Sequence, residues 1–124
     1  MTRMAKQPQN LVGRTFRFAQ AVRAFVNRLP RVISNYEDMR QLLRSSGSVA
    51  ANYIESQEGL SRKDFFYRIK VCRKEARECS LWLHLLETNK DESLMEECAR
   101  LVSETEELKR IFSAIASKDD TAGD

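Results

Sequence analysis

The strongest constraint on the fold is a pattern of apolar residues in the second half of the chain. Between residues 65 and 86, one set of residues recurs at alternating steps of four and three, and a run between residues 94 and 115 has a similar spacing. Such steps place side chains on one stripe of an α-helix and are typical of helices that pack along their length. The two runs are Phe65, Ile69, Cys72, Ala76, Cys79, Leu83, Leu86 and Leu94, Cys98, Leu101, Thr105, Leu108, Phe112, Ile115.

The first half of the chain predicts two further helices. Thr15 is a candidate N-cap for the first helix, and Pro30 ends it because proline lacks the N–H group that a continuing helix needs. Ser34 and Glu37 form a capping-box pattern that opens the second helix, which we expect to run to about Glu58. The residues on the two seams are Phe18, Val22, Phe25, Leu29 and Met39, Leu43, Ser46, Ala50, Tyr53, Gln57.

Short connections separate these helices. Gly59 and Ser61 predict the end of the second helix and the N-cap of the third, and residues 88–90 predict a turn before the fourth. Helices joined by short turns pack as antiparallel neighbours, so the sequence predicts an all-α, antiparallel up-down-up-down four-helix bundle. We expect the bundle at residues 14–117, a flexible N-terminal arm at 1–13 and a disordered C-terminal tail at 118–124.

The sequence indicates a cytoplasmic protein with no membrane segment. No apolar run approaches the roughly 18 residues that a membrane-spanning helix needs. Residues 1–9 are polar and lack the apolar centre of a signal peptide. Cys72, Cys79 and Cys98 lie at apolar helical positions, so we expect reduced core thiols rather than a disulfide framework.

The residue types that metal or covalent catalysis requires are scarce. His84 is the only histidine, and Leu81 stands three positions before it, so the Glu-x-x-His motif of di-metal bundles is absent. The cysteines do not have the spacing of a zinc site. A nucleophilic pair of Cys72 or Cys79 with His84 is an alternative, although both cysteines lie on the core seam. We therefore expect no enzyme activity, no catalytic residues, no metal and no cofactor.

A group of polar residues is predicted to join the second and third helices. Glu75 and Glu78 lie on the same helical stripe as Trp82, so they need cationic or amide partners if they are buried. We expect the group to act structurally, as a network that fixes register or assembly; ligand binding and acid–base catalysis are the alternatives. Its members are Arg44, Asn52, Glu55, Glu75 and Glu78.

Basic residues recur along one face of the third helix. Such a stripe can follow phosphates, with Tyr67 as a stacking group, which makes it a candidate nucleic-acid-binding surface. The alternative is a solvated face that pairs with the fourth helix, because residues 89–124 contain five Lys/Arg and ten Asp/Glu. The candidate residues, which we call the basic stripe, are Lys63, Lys70, Lys74 and Arg77.

Several large apolar residues lie off the seams, on a second stripe of the third and fourth helices. Two interpretations stay open. Either the buried face of each helix is wide, as in many globular proteins, or the second stripe is an interface between subunits. The residues are Phe66, Val71, Trp82, Leu85, Met95, Val102 and Ile111.

Residues 41–55, with the sequence QLLRSSGSVAANYIE, resemble a block found in the bacterial four-helix proteins of the large-subunit (23S) rRNA intervening-sequence family. The resemblance continues through Ser61–Phe65 and Lys74–Glu78 and ends at Trp82–Leu86. Ser56 departs from the Glu or Gly that often follows the first block. The family is related to the accessory variability proteins of retroelements.

The resemblance implies a four-helix bundle that assembles into a ring, typically a homopentamer. Some members are encoded inside rRNA genes, and the retroelement relative works with a reverse transcriptase and nucleic acid. The resemblance transfers no catalytic residue. Our leading hypothesis is a non-enzymatic, ring-forming scaffold that binds RNA or DNA weakly; a protein-only adaptor is the alternative.

Overall fold

The computed structural model describes residues 10–121, which form four α-helices joined by short loops. Each helix packs against the next along the chain, and α4 returns to α1 with a smaller contact. The prediction of an all-α four-helix bundle is confirmed, and the described residues contain no strand. The helices are α1 (Leu11–Arg28), α2 (Ile33–Ser56), α3 (Arg62–Leu85) and α4 (Glu92–Ala116).

The core runs the length of the bundle. The predicted seams of α1, α3 and α4 supply most of it, because their steps of three and four keep one stripe turned inward. In α2 the buried stripe differs from the predicted one: Leu42 and Val49 are fully buried, whereas Leu43 is only partly buried and Gln57 is exposed. None of the four helices is long and apolar enough to cross a membrane, a finding that covers residues 10–121.

The first helix begins earlier than predicted. Asn10, not Thr15, is the N-cap, and its side chain accepts a hydrogen bond of 3.2 Å from the Gly13 amide. Thr15 lies inside α1 and is fully buried, with its hydroxyl donating to the Leu11 carbonyl at 2.7 Å. The helix extends because Leu11 continues the buried stripe by one further step of four residues. Residues 11–13 of the predicted arm therefore belong to α1, and residues 1–9 lie outside the described chain.

The predicted capping box of α2 is also wrong. Val32 is the N-cap and makes no side-chain cap hydrogen bond, while Ser34 lies within the first turn and is exposed. Glu37 does not reach back to the cap; it accepts hydrogen bonds from Arg40 and Gln41. The first turn reaches back to Val32, whose carbonyl accepts from the Asn35 amide at 3.0 Å, and the buried Asn35 side chain joins the loops at this end of the bundle.

The predicted ends near the middle of the chain agree with the structure to within two residues. Helix α2 ends at Ser56, and Gly59 follows with a φ of +72°, a conformation that favours glycine. Ser61 caps α3 as predicted, with its side chain accepting from the Asp64 amide at 2.9 Å. Of the predicted tail, residues 118–121 are described and contact α3; residues 122–124 lie outside the described chain.

Candidate functional site

The basic stripe lies on the outer face of α3, where helical spacing carries its side chains to the surface. Lys63, Lys74 and Arg77 are exposed, and Lys70 is partly buried. Tyr67 lies between them with 59% of its surface exposed, and the Arg68 guanidinium carbon is 5.7 Å from its ring centre. An exposed aromatic ring with cations on both sides can stack on a base while the cations contact phosphates.

Two of the four stripe cations are engaged within the molecule. Lys70 Nζ lies 2.7 Å from Asp119 Oδ2, and Lys74 Nζ lies 3.3 Å from Glu78 Oε2. Lys63 and Arg77 form no ion pair with any residue between 10 and 121. The stripe therefore offers two unpaired cations and two cations that acidic side chains partly neutralise.

Arg44 forms the centre of a charged cluster between α2 and α3. Its Nη2 lies 3.2 Å from Glu75 Oε1 and 2.8 Å from Glu78 Oε1, and Nη1 donates to Glu75 Oε2. The Glu75 side chain is only 8% exposed, whereas Arg44 is half exposed. The hydrogen bond to Glu75, and then the charges of both carboxylates, raise the pKa of Arg44 above its ordinary value. Three of the five predicted network residues are thus brought together.

The other two network residues lie elsewhere. Asn52 Oδ1 accepts a hydrogen bond of 2.9 Å from Arg68, and its Nδ2 donates to the Ser48 hydroxyl. The Glu55 side chain is exposed and has no hydrogen bond to another described residue. The antiparallel pairing of Arg44 with Glu75 accounts for both positions, because it puts Asn52 level with residues 67–68 and Glu55 level with residue 64, about three helical turns from Glu75.

The sequence did not indicate the role of Asn35, a buried polar side chain at the end of the bundle that holds the α1–α2 loop. Asn35 is fully buried; its Nδ2 donates to the carbonyls of Pro30 and Glu87 at 3.1 and 3.0 Å, and its Oδ1 accepts from the Glu87 amide at 2.9 Å. The side chain thereby joins the α1–α2 loop to the residues that follow α3. The capping-box pattern drew attention to the residue before it, and no local sequence signal pairs residue 35 with residue 87.

An apolar groove lies between the end of α3 and the start of α4. Its volume is about 420 Å³, and its walls include Leu83, Leu86, Cys98 and Val102. Met95, in its wall, is about half exposed, as are Leu81 and Leu85 near the end of α3. Of the predicted second stripe, Phe66 is instead buried, while Trp82, Val71, Val102 and Ile111 are partly buried. The second stripe is therefore exposed mainly at this end of the bundle.

The cysteines have the surroundings of core thiols. Burial raises the pKa of both Cys72 and Cys79 to about 12, so neither is a thiolate near neutral pH. His84 Nδ1 donates to the Ser80 carbonyl at 2.7 Å, a contact within its own helix. Between residues 10 and 121 no group of three or more His, Cys, Asp or Glu side chains is arranged to hold a metal ion.

Comparison with known proteins gives two matches to this architecture. A family model described as 23S rRNA-intervening sequence protein matches residues 9–114. The fold is similar to the crystal structure of a protein with unknown function from the S23 ribosomal protein family of Bacteroides thetaiotaomicron, with a TM-score of 0.74. That alignment has 24% identity and covers 86% of this chain and 98% of the other, so it bears on the fold alone. No curated protein gives a significant match.

Proposed function

This chain belongs to the 23S rRNA-intervening sequence protein family, and from that premise we propose that it is a non-enzymatic bundle that assembles into a ring and binds RNA or DNA weakly. The ring is a homopentamer in this proposal. Its copies act together as a scaffold, and each copy contributes its basic stripe. The two parts of the proposal, assembly and nucleic-acid binding, rest on different surfaces of the bundle and are tested separately.

The observation that carries nucleic-acid binding is the exposure of Lys63, Tyr67 and Arg77 on one face of α3. Lys63 lies one turn from the exposed ring and Arg77 lies further along the same face; unpaired cations and an exposed ring are the combination that contacts the backbone and stacks on a base. A net charge of +3 per chain is small. Repetition of the stripe around a ring would multiply a weak contact, because each further contact forms within a complex that already exists.

The apolar groove between α3 and α4 supports assembly. Met95 in its wall is about half exposed, and Leu81 and Leu85 add exposed apolar surface near the end of α3. Covering apolar surface of this kind with a second surface is favourable in water. In the proposed ring a second copy of the chain covers this face. A ring requires contacts that close on themselves, so the complementary surface lies elsewhere on the neighbouring copy.

The decisive experiment for nucleic-acid binding changes Lys63 and Arg77 to Glu together. Both side chains are exposed and unpaired among the described residues, so the double variant should fold and assemble normally. We expect the affinity for a fluorescently labelled single-stranded RNA to fall at least tenfold at low salt. In the parent protein the affinity should also fall as salt rises, at about one logarithmic unit per logarithmic unit of salt for each phosphate that the protein neutralises.

The matched control changes Arg31 and Lys90 to Glu. Both residues are exposed and lie in the loops at the end of the bundle opposite Lys63, so the control alters net charge equally without touching the stripe. Equal loss of affinity in the two double variants would show that binding follows net charge alone. Unchanged affinity in the stripe variant would show that the stripe does not bind nucleic acid.

A protein-only adaptor is the second candidate function. It is favoured by the ion pairs of Lys70 and Lys74, which leave half of the stripe neutralised within the molecule. Such a bundle would use its apolar groove and its helix faces for a protein partner. The same titration separates the two candidates, because an adaptor shows no salt-dependent binding of RNA or of DNA at low salt.

A further inference from the structure

The residues that follow α4 turn back across the basic face of α3. Asp119 Oδ2 lies 2.7 Å from Lys70 Nζ, and the Asp119 side chain is 7% exposed. Asp120 Oδ1 accepts from both Nε and Nη2 of Arg62, at 3.2 and 3.0 Å. Two consecutive carboxylates therefore lie on two cations that are separated by two turns of the same helix.

The geometry around Asp119 is that of a built contact. Its Oδ1 accepts from the backbone amide of Thr121 at 2.8 Å and from the Thr121 hydroxyl, while its Oδ2 faces Lys70. These bonds, the one to Lys70 first, hold the pKa of the Asp119 carboxyl well below its ordinary value. The carboxylate thus occupies the position at Lys70 where a phosphate oxygen would bind.

We propose that the segment Lys118–Thr121 is an internal competitor that covers the Arg62–Lys70 part of the basic face and is displaced when nucleic acid binds. The competitor rests on the proposed nucleic-acid binding and would regulate it. The segment is joined to α4 by Ser117, so its local concentration at α3 is high without any external partner. The Arg62–Asp120 pair is exposed on both sides and Lys70 is 41% exposed, although Asp119 is not. Ion pairs that water reaches are individually weak and open to exchange.

The competition is reciprocal. If the bound segment lowers the affinity for nucleic acid, nucleic acid must lower the occupancy of the segment by the same factor. Removal of the carboxylates frees Lys70 and Arg62. The number of cations available to phosphates then rises from two, Lys63 and Arg77, to four. The salt dependence of binding should therefore become steeper, by about one unit of slope for each cation that is freed.

The test changes Asp119 and Asp120 to Asn in the full chain. We expect the affinity for a labelled single-stranded RNA to rise about threefold to tenfold at low salt, and the slope of log affinity against log salt to steepen by about one to two units. The matched control changes Glu92 and Glu96 to Gln. Those two exposed residues lie at the other end of α4, and neither forms an ion pair with a described residue.

The outcomes separate this inference from the function on which it rests. If the tail variant binds no more tightly than the Glu92/Glu96 control while the Lys63/Arg77 variant loses binding, the competitor is refuted and the proposed function stands. If no variant binds RNA, the tail variant included, both are refuted. A gain confined to the tail variant supports the competitor.

A second measurement follows the segment itself. The amide of Thr121 is held by the Asp119 carboxylate, so its hydrogen exchange should accelerate when RNA is added to the parent protein. Exchange that is unaffected by saturating RNA would show that the segment and the nucleic acid do not compete.

Discussion

Asn35 shows how much of the bundle depends on a single amide group. Its side chain makes three hydrogen bonds at a site without solvent exposure, and all three partners are backbone groups of two different loops. No other side-chain hydrogen bond in the described chain ties the α1–α2 loop to Glu87. Because the loop backbone is shielded from water there, removal of the amide leaves polar groups without partners.

We expect Asn35→Ala to lower the free energy of unfolding by about 2–4 kcal/mol, since buried unpaired polar groups cost about 1–3 kcal/mol each and part of the loop can relax. Urea unfolding followed by circular dichroism measures the change. Ser34→Ala is the control, because Ser34 is exposed and makes no cap bond; its effect should stay within about 0.5 kcal/mol. Equal effects would contradict the role of Asn35.

The cluster around Arg44 predicts an asymmetry between its members. Arg44→Ala leaves the carboxylate of Glu75 buried, with only Lys74 Nζ at 3.9 Å, whereas Glu75→Ala leaves a half-exposed guanidinium that still pairs with Glu78. We expect Arg44→Ala to cost about 2–3 kcal/mol and Glu75→Ala about 1 kcal/mol.

Chemical denaturation of both single variants and of the double variant tests this asymmetry. The double variant should be destabilised by less than the sum of the two, because it removes the buried charge together with its partner. A larger effect for Glu75→Ala than for Arg44→Ala would show that Arg44, and not Glu75, carries the desolvated charge.

At the scale of single residues, the sequence predicted which polar residues lie near the α2–α3 contact. It did not predict which of them pair with each other. Arg44, Glu75 and Glu78 meet as expected, but Asn52 binds Arg68, which was not among the predicted network residues. The pairing follows from antiparallel register once one contact is known, since Arg44 opposite Glu75 places Asn52 opposite residue 67 or 68. A single sequence contains the spacing within each helix and not the offset between helices.

At the scale of the helix, the core pattern was predicted more reliably than the ends. The seams of α3 and α4 follow from spacing alone, because burial requires one continuous stripe. Both predicted caps in the first half were wrong: Thr15 is buried within α1, and Ser34 lies in the first turn of α2. Burial of Leu11 accompanies the earlier start of α1, and in α2 the hydrogen bond from the Asn35 amide to the Val32 carbonyl places the first turn before the local capping signal.

Gly47 lies in the middle of α2, next to the side chain of Arg23 from α1. Arg23 donates to the Leu43 carbonyl at 3.3 Å, and a Cβ at Gly47 would lie 3.3 Å from Arg23 Nη2. Because Arg23 is exposed, its guanidinium can shift. The position therefore retains much of the helix propensity that alanine offers over glycine.

We expect Gly47→Ala to raise the free energy of unfolding by about 0.5 kcal/mol, which is the propensity gain of about 1 kcal/mol less the disturbed Arg23 contact. Gly59→Ala should lower it by about 1 kcal/mol, because Gly59 has a φ of +72° although space is open around it. Thermal and urea unfolding of the two variants measure both changes in the free energy of unfolding. A destabilised Gly47→Ala would mean that Arg23 is fixed in its place.

At the scale of the whole molecule, exposed apolar surface is uneven. The α3–α4 face carries a groove with Met95 in its wall, and Leu81 and Leu85 are exposed near the end of α3. Other exposed apolar residues lie on α1 and around the loops, among them Phe16, Ile33 and Leu60. Scattered apolar residues are common on monomers, and a groove with several around it is more typical of an interface. The family resemblance and this face together lead to the expectation of a ring.

Sedimentation equilibrium should therefore give a mass about five times 14.4 kDa for the parent protein. We expect Leu85→Glu with Met95→Glu to reduce the mass to that of the monomer, because two carboxylates would be buried in the interface. Ile33→Glu with Leu60→Glu is the control and should leave the assembly unchanged. A monomeric parent protein at micromolar concentration would contradict the ring, and an intact double Leu85/Met95 variant would move the interface to another face.

The smaller contact between α1 and α4 has a consequence for how the bundle opens and closes. Arg14 Nε and Nη2 donate to the Glu104 carboxylate at 2.7 and 2.9 Å across 90 residues of sequence, whereas the larger helix contacts all join neighbours along the chain. Helices α2, α3 and α4 can dock in sequence with only short loops to close, and α1 can then join last by packing mainly on α2. Helix α1 also has the least packing against other helices to lose when it separates from the bundle. When copies of the chain are crowded together, its departure opens a site that fits the α1 of a neighbour equally well, so exchange of this helix between copies is the misassembly that the topology makes easiest.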